Sequence, residues 1–242
     1  MRFEYKNIEI DYIFTDKDST VTNVYLHGWG GDKRTFLWVA NTSTLNTLCI
    51  DFPPFGESEE PQEVFTLQDY VDIVLQLCDS LQIKNINIIA HSFGGRVALR
   101  IASTTDIVDK MVLVDVAGID KKSFLTRLKV LNYKWEKWLA RIGLLDDWFV
   151  GKSGSEDYID LSPVMKQTFN NIIQVNQRDE LRHIKSPCLI IWGDKDTDTT
   201  LKSGRYLAKR LSARMIIFDG GHYAFLNNRQ RFITEINKFL GS

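Results

Sequence analysis

Ser92 lies in the run Ala90-His91-Ser92-Phe93-Gly94-Gly95, directly after an apolar stretch from Ile86 to Ile89 that only Asn87 interrupts. A strand that stops at a serine with glycines just beyond it can turn into a helix so sharply that the serine oxygen stands clear of the backbone. Such a turn forces strained dihedrals, so the positions two residues either side of the serine must be small. They are Ala90 and Gly94. A helix starting at Phe93 would aim its positive end at the reacting group. The chemistry this serves is attack by a hydroxyl. It needs a base to take the proton, an acid to orient the base, and fixed N–H donors for the oxyanion that develops.

Three further windows supply those parts. Leu26-His27-Gly28-Trp29-Gly30-Gly31 follows an expected strand and is glycine-rich enough for its backbone to approach a substrate closely. The amides of Trp29 and Phe93 are the two expected oxyanion donors. Cys188 to Gly193 reads as a buried strand running into a loop with Asp194, Asp196 and Asp198. Asp219-Gly220-Gly221-His222 follows another strand. The chain order is serine, acid, histidine, each at the carboxyl end of a strand, where open parallel sheets bind ligands. Taken singly, each window also reads as a plain strand followed by a polar turn. Aspartates at alternate positions also suggest a calcium loop, but Thr199 stands where its glycine belongs and Arg205 where its glutamate belongs. Asp115, at the end of an earlier strand, is a second candidate acid.

The four windows in this order resemble the α/β-hydrolase superfamily over nearly the whole length of the chain. The resemblance implies Ser92 as nucleophile, His222 as general base and Asp196, three residues past Gly193, as the acid that orients it. Asp115 stands where some relatives carry that acid. His27-Gly28 is similar to the family's oxyanion-loop dipeptide, and Asp51 to Ser58 to the loop after the fourth strand. That loop often has glycine where this chain has Pro54, a change that stiffens it. The implied reaction passes through an acyl-enzyme and needs neither a metal nor an organic cofactor.

The elements that must position these residues follow from hydrophobic periodicity. Residues 3–14 read as two short antiparallel strands. Further strands fall near 23–26, 47–50, 86–90, 111–115, 188–192 and 214–218, and helices near 32–40, 66–82, 93–103, 200–211 and 229–240. Strand–helix alternation demands a mostly parallel sheet with helices on both faces. The alternation stops between 118 and 186, which divides the chain into an α/β core, residues 1–117 and 187–242, and a helical insert at 118–186. Phe124, Leu128, Leu131, Trp135, Trp138 and Ile142 recur at helical spacing in the insert. Ser162-Pro163 is a helix start, and Met165, Phe169, Ile172 and Ile173 form one apolar stripe after it. In similar enzymes an insert here is a cap that roofs the active site, with aromatic side chains lining an acyl pocket and the polar run Gly151 to Ser155 as a loop that admits substrate.

Between 121 and 141 the insert carries seven basic residues against the single acid Glu136. A solvated outer face is preferred over contact with an acyl carrier or a membrane surface. His27 is expected to shape the oxyanion loop, His91 to pack on the opposite side of its strand, and His183 to lie on the surface. The composition fits one folded α/β domain, with 44% hydrophobic and 25% charged residues. A net charge of −1 gives no general attraction to nucleic acid or anionic membrane. Cys49, Cys78 and Cys188 read as buried thiols of a reducing compartment, and the lack of a signal-length apolar run makes the cytoplasm the expected location. The expected activity is hydrolysis of an ester or thioester of a small to medium acyl group. Carbon–carbon hydrolysis or lyase chemistry by the same three residues is the alternative, since Gly94-Gly95-Arg96 resembles a run in the menaquinone-pathway lyase of this superfamily. A non-catalytic receptor on the same fold is disfavoured because all three residues are present.

Overall fold

Eight strands form one sheet in the order β1-β2-β4-β3-β5-β6-β7-β8. The computed structural model describes residues 1–119 and 161–241. β1 (Arg2–Tyr5) and β2 (Ile8–Thr15) form an antiparallel hairpin turned through Lys6 and Asn7, both at positive φ, and β2 runs antiparallel to β4 (Asn46–Ile50). All other neighbours are parallel: β3 (Thr22–Leu26), β5 (Ile86–His91), β6 (Val108–Val114), β7 (Cys188–Gly193) and β8 (Arg214–Phe218). From β3 the chain moves outward to β4, then returns to place β5 on the other side of β3. That reversal opens a crevice beyond the carboxyl ends of β3 and β5. The windows at His27 and Ser92 begin there.

Both faces of the sheet are covered, so β3, β5 and β7 are buried along their whole length and read as apolar runs rather than alternating ones. Successive side chains still point to opposite faces. Val24, Leu26, Ile88 and Ala90 join the core shared with α2 (Leu67–Ser80), α3 (Phe93–Thr104) and α5 (Leu201–Arg210). Tyr25 and Ile89 join the opposite core, built with α1 (Arg34–Ala40), the short α6 (Ala224–Asn227) and α7 (Arg229–Leu240). Thr66 starts α2 as a capping box with Asp69. The three cysteines are free and buried, and burial pushes each thiol up to about 12. Among the described residues no helix is long and apolar enough to cross a membrane.

Of the insert, residues 120–160 lie outside the described residues, and with them the Phe124–Ile142 stripe, the basic segment and the Gly151–Ser155 loop. The expected start at Ser162-Pro163 is present in α4 (Pro163–Gln174), where the Ser162 hydroxyl accepts from the Met165 amide. Met165 and Ile172 are buried on its inner face, while Ile173, expected in the same stripe, is exposed because it lies one position round the helix from Ile172. A 3-10 turn at Glu180–His183 packs on α3, with Arg100 paired to Glu180. His183 is exposed, as expected.

The loop after β4 is folded around a buried charge. Asp51 is fully buried and accepts from the Lys33 amide at 2.6 Å and the Glu57 amide at 2.8 Å, while the Lys33 ammonium sits 2.5 Å from Asp51 and 2.7 Å from Asp11. Gly56 is required here: it has φ +62, and a Cβ would lie 2.1 Å from Asp51 Oδ2. Replacing Lys33 by alanine strands the Asp51 charge without its counter-ion. The expected cost is about 3 kcal/mol or more, read as a lower urea midpoint at an unchanged slope. A midpoint equal to that of the unaltered protein would contradict this.

Candidate active site

Ser92 adopts φ +49 and ψ −108 at the junction of β5 and α3. A non-glycine residue rarely occupies this region, and such strain persists only where the surroundings hold it. The Ser92 amide donates to Val114, and its carbonyl accepts from Gly95 and Ala117. The two glycines that follow are demanded by contact. A Cβ on Gly94 would lie 2.3 Å from the carbonyl oxygen of Leu26, and one on Gly95 would lie 2.6 Å from Val116. The Gly94 amide donates to the His27 carbonyl, which ties the elbow to the end of β3. Ser92 is half-buried.

The loop after β3 lies against this turn. A Cβ on Gly28 would come within 2.7 Å of His91 Nδ1 and 3.3 Å of Ser92 Cβ, so only glycine fits there. His27 does shape this loop. Its Nδ1 lies 2.7 Å from the Gly28 carbonyl and its Nε2 accepts from the Phe52 amide at 2.8 Å. A carbonyl accepts and an amide donates, so the ring is the neutral Nδ1–H tautomer. Burial keeps it so by pushing its pKa below the ordinary value. One imidazole thus fastens the β3 loop to the β4 loop. The next residue, Trp29, meets Phe93 at 5.3 Å, Phe55 at 5.1 Å and Phe169 of α4 at 5.0 Å between ring centroids. Phe93 opens α3, so its amide is among those a helix leaves without an intrahelical partner.

The acid and the histidine meet across the ends of β7 and β8. His222 Nδ1 lies 2.8 Å from Asp196 Oδ2, and the same oxygen accepts from the Thr199 hydroxyl at 2.7 Å. Asp196 Oδ1 accepts from the amides of Asp198 and Thr199, at 2.8 and 3.0 Å. Burial pushes this carboxyl up, but the bonds from His222 and Thr199 outweigh it and hold it at about 2. A carboxylate at Nδ1 fixes the Nδ1–H tautomer of His222 and leaves Nε2 with a lone pair. A Cβ on Gly193 would strike the carbonyl of Gly221 at 2.3 Å, and this close approach brings the two loops together.

His91 departs from expectation. It is buried, but it does more than pack: its Nε2 lies 2.9 Å from the His222 carbonyl and its ring centroid is 4.6 Å from that of His222. The residue before Ser92 thereby anchors the backbone of His222 at the elbow. Burial, and secondarily the neighbouring His222, push the His91 pKa down to about 3, so it stays a neutral Nε2–H donor. No local sequence signal carries this contact, which spans 131 residues. Arg96 is also engaged differently. Its Nη1 donates to the carbonyls of Ile172 and Val175 at the end of α4. Asp194 and Asp198 are exposed in the loop, where Asp194 accepts from the Gly220 amide. Asp115, Asp196 and His222 could offer three metal ligands within 4.8 Å of one another. Protons of His222, Thr199 and two backbone amides already occupy Asp196, which makes the cluster a hydrogen-bonded one.

A family described as Alpha/beta hydrolase family matches residues 24–235. The chain is similar to the uncharacterized hydrolase YugF of Bacillus subtilis, 23% identical over 230 residues, covering 85% of this chain and 84% of that one. Its structure is similar to that of the enol-lactonase from Burkholderia xenovorans, with a TM-score of 0.78 at 20% identity and full coverage of both chains. It is also similar to an esterase from Exiguobacterium antarcticum, with a TM-score of 0.75 at 19% identity, covering 97% of this chain and 96% of that one. At such identities the structural likeness establishes the fold.

The depressed pKa of His91 has a consequence for stability. The unfolded chain takes up this proton below about pH 6.5, whereas the folded chain refuses it down to about 3. The stability involved is present above pH 6.5 and is lost as pH falls. Between pH 7 and 4 the urea midpoint of the unaltered protein is expected to drop more steeply than that of His91→Gln. Parallel curves for the two proteins would contradict the assignment of a buried neutral ring.

Proposed function

Because this chain belongs to the alpha/beta hydrolase family, we propose that it cleaves a carboxylic ester or thioester of a small to medium acyl group through a Ser92–His222–Asp196 triad. The observation that carries this reading is the 2.8 Å bond between His222 and Asp196, anchored by His91 to a serine held at φ +49. His222 Nε2 takes the Ser92 proton as the oxygen attacks the acyl carbon. Asp196 steadies the imidazolium, and the amides of Trp29 and Phe93 receive the oxyanion. His222 then hands its proton to the leaving group, and water repeats the sequence to release the acid. The His27 ring supports the donor loop as a neutral bridge and takes no proton.

One feature favours an apolar acyl group, and another favours an ester. The aromatic rings of Trp29, Phe55, Phe93 and Phe169 form one wall beside the serine. Two of the structures it is similar to are named an enol-lactonase and an esterase, which favours ester over carbon–carbon cleavage. Arg96, the residue that suggested the lyase alternative, is buried against the carbonyls of α4. A lyase of that kind would be slow on aryl esters and fast on a dicarboxylic substrate.

A fluorophosphonate probe is expected to label the protein and to leave Ser92→Ala unlabelled. On aryl esters graded by acyl length, carboxylated ones included, turnover is expected for short to medium chains. His222→Ala is expected to lower kcat by about 10⁴-fold or more. Absence of both labelling and ester turnover would overturn the proposal.

A further inference from the structure

Asp115 follows the last residue of β6 and has φ +45, a region uncommon for residues other than glycine. It is 1% exposed. Its Oδ1 accepts from the Gly193 amide at 2.9 Å, while its Oδ2 is buried and meets no donor among the described residues. A carboxyl oxygen of Asp115, one of Asp196 and a ring nitrogen of His222 all lie within 4.8 Å of one another. Two buried carboxyls this close cannot both ionise. Asp196 has four donors and is the ionised member. The proton therefore stays on Asp115.

Counting protons leads to the same assignment. The Thr199 hydroxyl has a single proton and two acceptors in reach, Asp196 Oδ2 at 2.7 Å and the Asp115 carbonyl at 3.1 Å. It cannot serve both. When Thr199 turns to the Asp115 carbonyl, Asp196 keeps three donors, and a proton on Asp115 Oδ2 directed at Asp196 restores the fourth and gives a role to the one oxygen of the pair that otherwise has no partner. Burial, and secondarily the Asp196 charge, push the Asp115 carboxyl up to about 9.

We propose that Asp115 is a second acid of this site, a neutral carboxyl that holds Asp196 through a shared proton and takes over its bond to His222 when Asp196 is replaced. It is a positioning residue, acting on Asp196 and through it on His222, and its effect on turnover rests on the triad proposed above. The titratable groups around it are Asp196 from the loop after β7, His222 from the loop after β8, and, one strand over, the neutral His91 of β5.

Infrared difference spectra between the unaltered protein and Asp115→Asn at pH 7 test the proton directly and need no turnover. The expected result is the carbonyl stretch of a protonated carboxylic acid, present in the former and missing from the latter. Should Asp115→Asn fail to fold, loss of that band from the unaltered protein as pH rises through about 9 carries the same test. In kinetics, Asp196→Asn is expected to lower kcat by about 10- to 100-fold with KM little changed, well short of the order of 10⁴-fold that loss of an orienting acid costs a triad. Adding Asp115→Asn to it is expected to remove about a further 100-fold. An alkaline decline near pH 9 is expected in the unaltered enzyme and not in Asp115→Asn. A missing band at pH 7, or Asp196→Asn as inactive as the double variant, overturns the proposal. A band present in a protein that cleaves no ester overturns the assigned reaction and leaves the shared proton standing.

Discussion

Everything at this site depends on how closely two pieces of backbone can approach. The first turn of α3 passes the end of β3 at a distance that leaves no room for a side chain on Gly94, and the loop after β3 passes Ser92 with no room for one on Gly28. That double contact holds Ser92 in a conformation it would otherwise leave. The energy that maintains the strain comes from the sheet. β3 and β5 are buried on both faces, and their neighbours continue the ladder on either side. Burial of this kind stabilises at about 25 cal/mol per Å² of apolar surface, so a fully covered strand outweighs the one to three kcal/mol that a strained residue costs.

The charges are arranged on the same economy of space. Of the three imidazoles near Ser92, His27 and His91 are buried and held neutral, each bonded to the backbone of a loop that must not move. His222 alone keeps partial access to solvent, with its side chain 12% exposed. Residues of one type are thus divided by burial into two fasteners and one ring that stays partly open to solvent. The negative charge is confined to Asp196, where two amides, a hydroxyl and an imidazole share it, and a neutral carboxyl sits behind it. A second fixed charge at Asp115 would have to be solvated by groups that the burial of that position excludes.

What the sequence made legible was local. The strand–helix alternation, the glycines beyond Ser92, and the aspartate and histidine loops after their strands can all be read within a dozen residues, because sterics and periodicity act over that range. The fold and the site's members follow from such windows. The bond from His91 to His222 was not legible because strand alternation says only which face a side chain takes, and its partner is 131 residues away. Thr199, which lies within reach of both Asp196 and the Asp115 carbonyl, carries no signal, since a threonine in a polar loop is unremarkable in composition. Arg96 stands out in the sequence only through the resemblance of Gly94-Gly95-Arg96 to a lyase run, which says nothing of its contacts. Its partners are the carbonyls that end a helix 76 and 79 residues on.

That guanidinium also ties the helix after Ser92 to the aromatic cluster around Trp29. Arg96 sits one turn after Ser92 and grips the last carbonyls of α4, while Gln177 just beyond bonds back to the Arg96 carbonyl. Phe169, in the middle of α4, rests on Trp29. The helix is held at its carboxyl end by Arg96 and in its middle by Phe65, whose amide donates to the buried Thr168 hydroxyl. Loss of the Arg96 guanidinium would therefore be felt at Trp29, through α4, while the close contacts of Gly94 and Gly95 stay in place.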